Sequence, residues 1–192
     1  FDVVASLHNR LGALAYQRRA YDEAIRHVSK SLELRTTIGD LSGVARLYNN
    51  LGLLSMMTGN YCEAEENFYQ GMNLLEKVGD IEGITLGNIN IGLVKFDRGD
   101  LLSAENFLEK ARKMAERIGH RFYMALACLY LGRLKTAQDQ HAEGERLLKF
   151  SLQQFDELGA MDYLIDAMQY IAENYLEWGH YSDAADWSLK TR

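Results

Sequence analysis

The sequence predicts an all-α fold in which antiparallel helix pairs stack into a curved solenoid, and three observations carry that prediction. First, the chain repeats itself every 40 residues without a gap: Gly12, Gly52, Gly92 and Gly132 fall in one series that Ala172 completes, each preceded by Leu11, Leu51, Ile91, Leu131 or Ile171. Second, apolar residues recur every three or four positions, as in Val44, Tyr48, Leu51 and Leu54, which is helical spacing. Third, there is no proline and the 16 glycines are dispersed, a poor fit to strand-rich folds whose turns are punctuated by both residues.

Each repeat reads as two helices. The first helices are predicted over 2–18, 41–58, 81–98, 121–138 and 161–178, and the second over 21–38, 61–78, 101–118, 141–158 and 181–192. Gly59-Asn60 and Gly99-Asp100 break the chain inside a repeat, and Gly39-Asp40 and Gly79-Asp80 break it between repeats. Glycine there closes one helix in the left-handed conformation, and Asp or Asn caps the next. A further series, Ala24, Ala64, Ala104, Gly144 and Ala184, puts small residues on the second helices, so that the two helices of a pair approach closely at positions such as Gly52 and Ala64 while Leu51, Tyr61 and Phe68 fill the space around. One pair cannot bury its apolar face alone, so the pairs stack. The expectation is a single array of five repeats, 1–40, 41–80, 81–120, 121–160 and 161–192. Phe1 opens the chain and Arg192 falls within a helical pattern, which suggests a piece of a longer protein.

With 47% hydrophobic residues the chain has the material for a sizeable core. Cys62 and Cys128 stand at unrelated registers and read as buried thiols in a reducing compartment, which points to the cytoplasm. No apolar run approaches the roughly 20 residues of a spanning helix, and no signal-peptide plan is present, so a membrane partner is not expected. Net charge is -6, distributed as 8 basic and 10 acidic residues over 1–80, 9 and 7 over 81–140, and 4 and 10 over 141–192. No concentrated basic face results, which argues against nucleic acid.

The segment NNLGLLSMMTGNYCEAEENF, residues 49–68, resembles the tetratricopeptide (TPR) signature through Leu51-Gly52, Gly59, Tyr61, Ala64 and Phe68. The 40-residue period and the lack of a closing proline make it similar to the extended subtype of spindle-orientation adaptors and of the maltose-activator sensor domain. The resemblance implies a right-handed superhelix, TPR-like, whose first helices line a concave groove that binds peptides.

Catalytic signatures are missing. No phosphate-binding glycine loop, dinucleotide fingerprint or zinc spacing occurs, so an enzyme, a cofactor and a metal are not expected. His120 and His180 read as solvated turn residues, and His141 with Glu145 has the spacing of a metal pair but lacks further ligands, so it reads as structural.

The groove face is the informative surface. Its stripe starts polar and basic with Arg10, Arg46, Asn49 and Asn50, turns apolar through Leu53, Met57, Leu86, Ile89, Leu93 and Leu129, and continues through Tyr130 and Arg133 to acidic Glu173. Asn50 and Asn90 share a register from which an amide grips a peptide backbone or bridges neighbouring first helices. The expected function is a protein-interaction scaffold that binds a peptide or helix of a partner protein. The alternative is a regulatory sensor domain that takes a small ligand or controls a neighbouring effector domain, and self-association through the array ends is a third option.

Overall fold

The computed structural model describes residues 1–190. Among them are ten helices and no strand. The first helices of the pairs are α1 (Asp2–Gln17), α3 (Leu41–Met57), α5 (Ile81–Asp97), α7 (Arg121–Ala137) and α9 (Met161–Glu177). The second helices are α2 (Tyr21–Thr37), α4 (Tyr61–Val78), α6 (Leu101–Ile118), α8 (His141–Leu158) and α10 (Tyr181–Lys190). Each expected helix is present, with the first helices ending one residue earlier than the pattern suggested. The last two residues of the expected final helix, 191 and 192, lie outside the described residues.

The helix ends follow from local chemistry. Asp40 accepts a hydrogen bond from the Gly43 amide at 2.8 Å, Asp80 from Gly83 at 2.9 Å and Asp100 from Ser103 at 3.1 Å, each relieving one of the unpaired amides of a first turn. The Gly43 amide bond and the Arg35 guanidinium hold the Asp40 carboxyl below its ordinary range. The turn inside each pair demands a left-handed residue, with φ of 78° at Gly59 and 80° at Gly99. The same turn forces Arg19 to 58° and Asp139 to 59°, where a side chain is unfavourable. His120 does not behave as a solvated turn residue. Its Nδ1 accepts from the Tyr123 amide at 3.2 Å and its ring stacks on Tyr123, which makes it the cap of α7.

By its internal contacts the chain divides into two compact units, Phe1–Val94 and Lys95–Arg192. In the first, Ala15, Ala24, Val28, Leu47 and Leu54 form a core in which α1, α2 and α3 meet. The glycine series approaches the large residue of the partner helix most closely, with the backbone of the small-residue series next: the Ala24 carbonyl at Gly12 and the Gly144 carbonyl at Gly132. A Cβ on Gly52 would lie 2.5 Å from the Phe68 ring, and one on Gly12 would lie 2.8 Å from Val28.

In the second unit the same contact recurs with Gly132 against Leu148, at 2.6 Å. Leu131, Leu134, Leu148 and Phe155 are fully buried there, and Phe122, Phe155 and Tyr163 pack edge to face or stacked within 5.8 Å of one another. A polar tie joins α7, α8 and α9. Asn174, buried completely, accepts from Thr136 Oγ1 at 2.8 Å, lies 3.2 Å from His141 Nδ1, and donates to the His141 carbonyl at 3.1 Å. His141 is thus a structural residue. Its sequence neighbour Glu145 is engaged by Lys149 and Tyr175, whose hydrogen bonds hold the Glu145 carboxyl low.

The two cysteines differ. Cys128 is buried on α7, and burial pushes its thiol up to about 11, so it stays protonated and unreactive at neutral pH. Cys62 is exposed, against the sequence expectation. Its register on the second helices, shared by Asp22, Leu102, Ala142 and Ser182, faces solvent in every repeat, which an apolar count along the chain does not reveal.

Candidate functional site

The first helices carry the candidate surface, and each unit presents its own part. In the first unit α1, α3 and α5 lie side by side, as two amide contacts show. Asn50 Nδ2 donates to Asn9 Oδ1 at 3.3 Å, and Asn90 Nδ2 donates to Asn49 Oδ1 at 2.6 Å. Both links span 41 residues, one more than the repeat, because a side chain at the tenth position of one first helix reaches the ninth position of the helix before it.

This geometry corrects part of the sequence reading. Asn90 is only 5% exposed, and its amide bridges helices rather than facing a ligand. Ile89 is fully buried, so it cannot serve as a surface anchor. Leu129 in the second unit is likewise at 0%. The ninth position turns inward when it is aliphatic, since close helix contact offers it an apolar environment, and stays half-exposed when it is Asn9 or Asn49.

The remaining residues of the first unit do reach the surface. Arg10, Arg46 and Met57 are exposed, and Asn49, Asn50, Leu53, Leu86 and Leu93 are half-buried. A recess of about 260 Å³ opens between α1 and α3. Gly12, Ala13, Val28 and Leu54 give it an apolar floor, Tyr16 and Leu53 form its sides, and Asn9 and Asn50 stand at the polar rim. The small residues at positions 12 and 13 create the space. One hydrogen bond links the two rim amides, and among the described residues one carbonyl and one NH2 of the pair have no other partner, leaving an acceptor and a donor side by side.

In the second unit the surface is built around Arg133 on α7. Its guanidinium lies 4.7 Å from the centre of the Phe96 ring and 5.2 Å from that of Tyr170, a sandwich between residues of α5 and α9. Such stacking fixes a normally mobile side chain and leaves its N–H edge for a planar acceptor. Half-buried Tyr130 lies beside this group, and burial together with the neighbouring Tyr170 drives its hydroxyl well above the ordinary range.

Two carboxyls stand near Tyr170. Burial raises Asp97 despite the attraction of Arg133, and burial with the repulsion of Asp162 raises Asp166. Glu173 is half-buried and accepts from Gln169 at 3.0 Å. Phe96 is the residue that the sequence stripe missed. It lies 37 residues before Arg133, as Tyr170 lies 37 after, an offset one helical turn short of the repeat.

Nothing in this arrangement supplies a nucleophile paired with a base. Among the described residues no group of three metal-ligating side chains occurs, and no helix is long and apolar enough to cross a membrane.

Repeated helix pairs with small residues at the closest contact define an all-α helical-repeat protein, a class that offers extended surfaces to partners. Residues 3–77 match the family model described as Tetratricopeptide repeat, and the later residues repeat the same arrangement of helix pairs. No curated protein matches the chain.

Several solved structures share the fold. Aspartyl phosphate phosphatase F from Bacillus subtilis has a TM-score of 0.79 at 16% identity, over 97% of this chain and 48% of that one. A Podosopora anserina kinesin light chain protein of nearly identical TPR-like repeats has a TM-score of 0.73 at 15% identity, over 97% and 92%. A signal-transduction ATPase with a tetratricopeptide repeat sensor, from Pyrococcus horikoshii, has a TM-score of 0.75 at 18% identity, over 90% and 27%. The chain thus spans about half of the phosphatase and about a quarter of the ATPase. At these identities the likeness is one of fold alone.

Proposed function

We propose that the chain is a scaffold module that binds an extended or helical segment of a partner protein on its first helices, in the cytoplasm. The observation that supports this best is the α1–α3 recess, which pairs an apolar floor with an amide donor and an amide acceptor at its half-exposed rim. An apolar side chain entering between Ala13 and Leu53 would be desolvated, while Asn9 and Asn50 would hold the adjacent peptide group through both its N–H and its C=O. Met57, Leu86 and Leu93 extend the apolar surface, and exposed Arg10 and Arg46 favour an acidic neighbour on the ligand.

On the second unit the stacked Arg133, with Tyr130, Tyr170 and Glu173, offers a rigid aromatic and charged surface of the composition that interfaces favour. The test is calorimetric, on a partner segment mapped to its shortest binding stretch. Leu53→Ala should weaken binding by on the order of 2 kcal/mol, and Asn50→Ala by about 1 kcal/mol, with helical content unchanged. Undiminished affinity in both variants would exclude the recess as the site.

A further inference from the structure

Two of the five histidines face each other across the first helix pair. The Nδ1 atoms of His8 on α1 and His27 on α2 lie 3.0 Å apart, with the ring centres 5.2 Å apart and the rings tilted by 40°. Across that gap one Nδ1–H donates to the other Nδ1. His120 and His141 commit the same atom elsewhere, to the Tyr123 amide and to Asn174. Helix packing does not call for histidine here, since the equivalent positions hold Tyr48 and Asn67 in the second pair and Met168 and Trp187 in the fifth. These four are half-buried, as His8 and His27 are, although another helix pair precedes each of them. Water therefore reaches this register inside the array as well.

We propose that His8 and His27 form a two-nitrogen chelate for a divalent transition-metal ion of tetragonal geometry, Cu(II) or Ni(II), which ties α1 to α2. The spacing selects the ion. Imidazole nitrogen binds such metals at about 2.0 to 2.1 Å, so two nitrogens at right angles around one ion lie about 2.8 to 3.0 Å apart, and at the tetrahedral angle about 3.3 to 3.4 Å. The 3.0 Å between the two Nδ1 atoms fits the right angle of Cu(II) or Ni(II) better than tetrahedral Zn(II). A small turn of each ring about its Cβ–Cγ bond brings the two lone pairs from facing each other to converging on one point.

In a pair of neutral rings the ion takes the place of the shared proton. That proton moves to Nε2 of the donating ring, so the protein neither gains nor loses one. Among the described residues no third metal-ligating side chain joins the two, and because both rings are half-buried, water completes the coordination. Neither histidine lines the α1–α3 recess, so the proposal stands apart from peptide binding.

Titration with Cu(II) tests it, on the 192-residue chain carrying Cys62→Ser to remove the exposed thiol, which would itself take up the ion. At one equivalent the electron paramagnetic resonance spectrum should be tetragonal and show couplings to two imidazole nitrogens. In calorimetry His8→Ala and His27→Ala should each weaken binding by about tenfold or more, because a lone imidazole loses the gain of a second linked ligand. Circular dichroism should stay unchanged in both variants. A site at the amine of Phe1 or on surface carboxylates would survive either substitution, so equal binding by the parent and both variants would mean an adventitious ion only. That result, or a parent spectrum with fewer than two imidazole nitrogens, would overturn the proposal; the spectrum needs no variant and decides the matter even if a substitution disturbs the fold.

Discussion

Gly52→Leu should destabilise the first unit by about 3 kcal/mol, the upper end for an overpacked core, because the space at that position is already filled by the Phe68 ring. Phe68 is 1% exposed, and Phe68→Ala should cost about 4 kcal/mol by leaving a cavity. The two changes act on one contact and should therefore be strongly non-additive. In the double variant the leucine side chain enters the space the ring vacates, and the total loss should fall short of the sum by more than about 1 kcal/mol. Urea unfolding monitored by circular dichroism reads all four proteins. A Gly52→Leu variant as stable as the parent, or strict additivity, would mean that Phe68 does not pack over Gly52.

This contact also marks how far the sequence could be read. The glycine series was legible because a residue without a side chain recurs at a fixed interval where a helix pair requires close approach. What the interval could not reveal was which of the residues expected around the contact, Leu51, Tyr61 or Phe68, lies over the glycine. Only the packed geometry assigns the space at Gly52 to the Phe68 ring.

The candidate surface was legible in the same partial way. Asn49, Asn50, Leu53 and Arg133 were found by following one face of the first helices, and each is half-buried in its own unit. Ile89, Asn90 and Leu129 stand on the same stripe yet are buried: the amide of Asn90 is tied to Asn49 on the neighbouring first helix, and Ile89 and Leu129 are aliphatic side chains that turn inward. The Phe96–Arg133–Tyr170 sandwich was invisible to a 40-residue alignment, since its members are 37 residues apart. Searching each stripe for aromatic residues one turn short of the repeat on either side of an arginine would have found it.

In the second unit the largest expected loss comes from Asn174→Leu. The substitution preserves volume but removes the acceptor for Thr136 and the donor to the His141 carbonyl in a site closed to water. Each polar group left unpaired there costs about 1 to 3 kcal/mol, and a total of about 3 kcal/mol is expected since Thr136 can turn to its second acceptor, the Gly132 carbonyl at 3.1 Å. Because repeat stability is nearly local, amide exchange should accelerate in α7, α8 and α9 and leave α1 to α3 unaffected. Exchange that rises evenly along the whole chain would contradict that local account, and exchange that does not rise at all would show that the polar tie contributes nothing.

The account as a whole rests on the first helices being the surface that meets the partner. The most direct measurement is a resonance map of the isotope-labelled chain with a bound partner segment. The side-chain amides of Asn9 and Asn50 and the methyls of Ala13 and Leu53 should shift on binding, whereas the exposed outer positions of the second helices, Lys30, Glu63 and Glu66, should stay where they are. Shifts confined to those outer positions, with Asn50 and Leu53 unmoved, would contradict it.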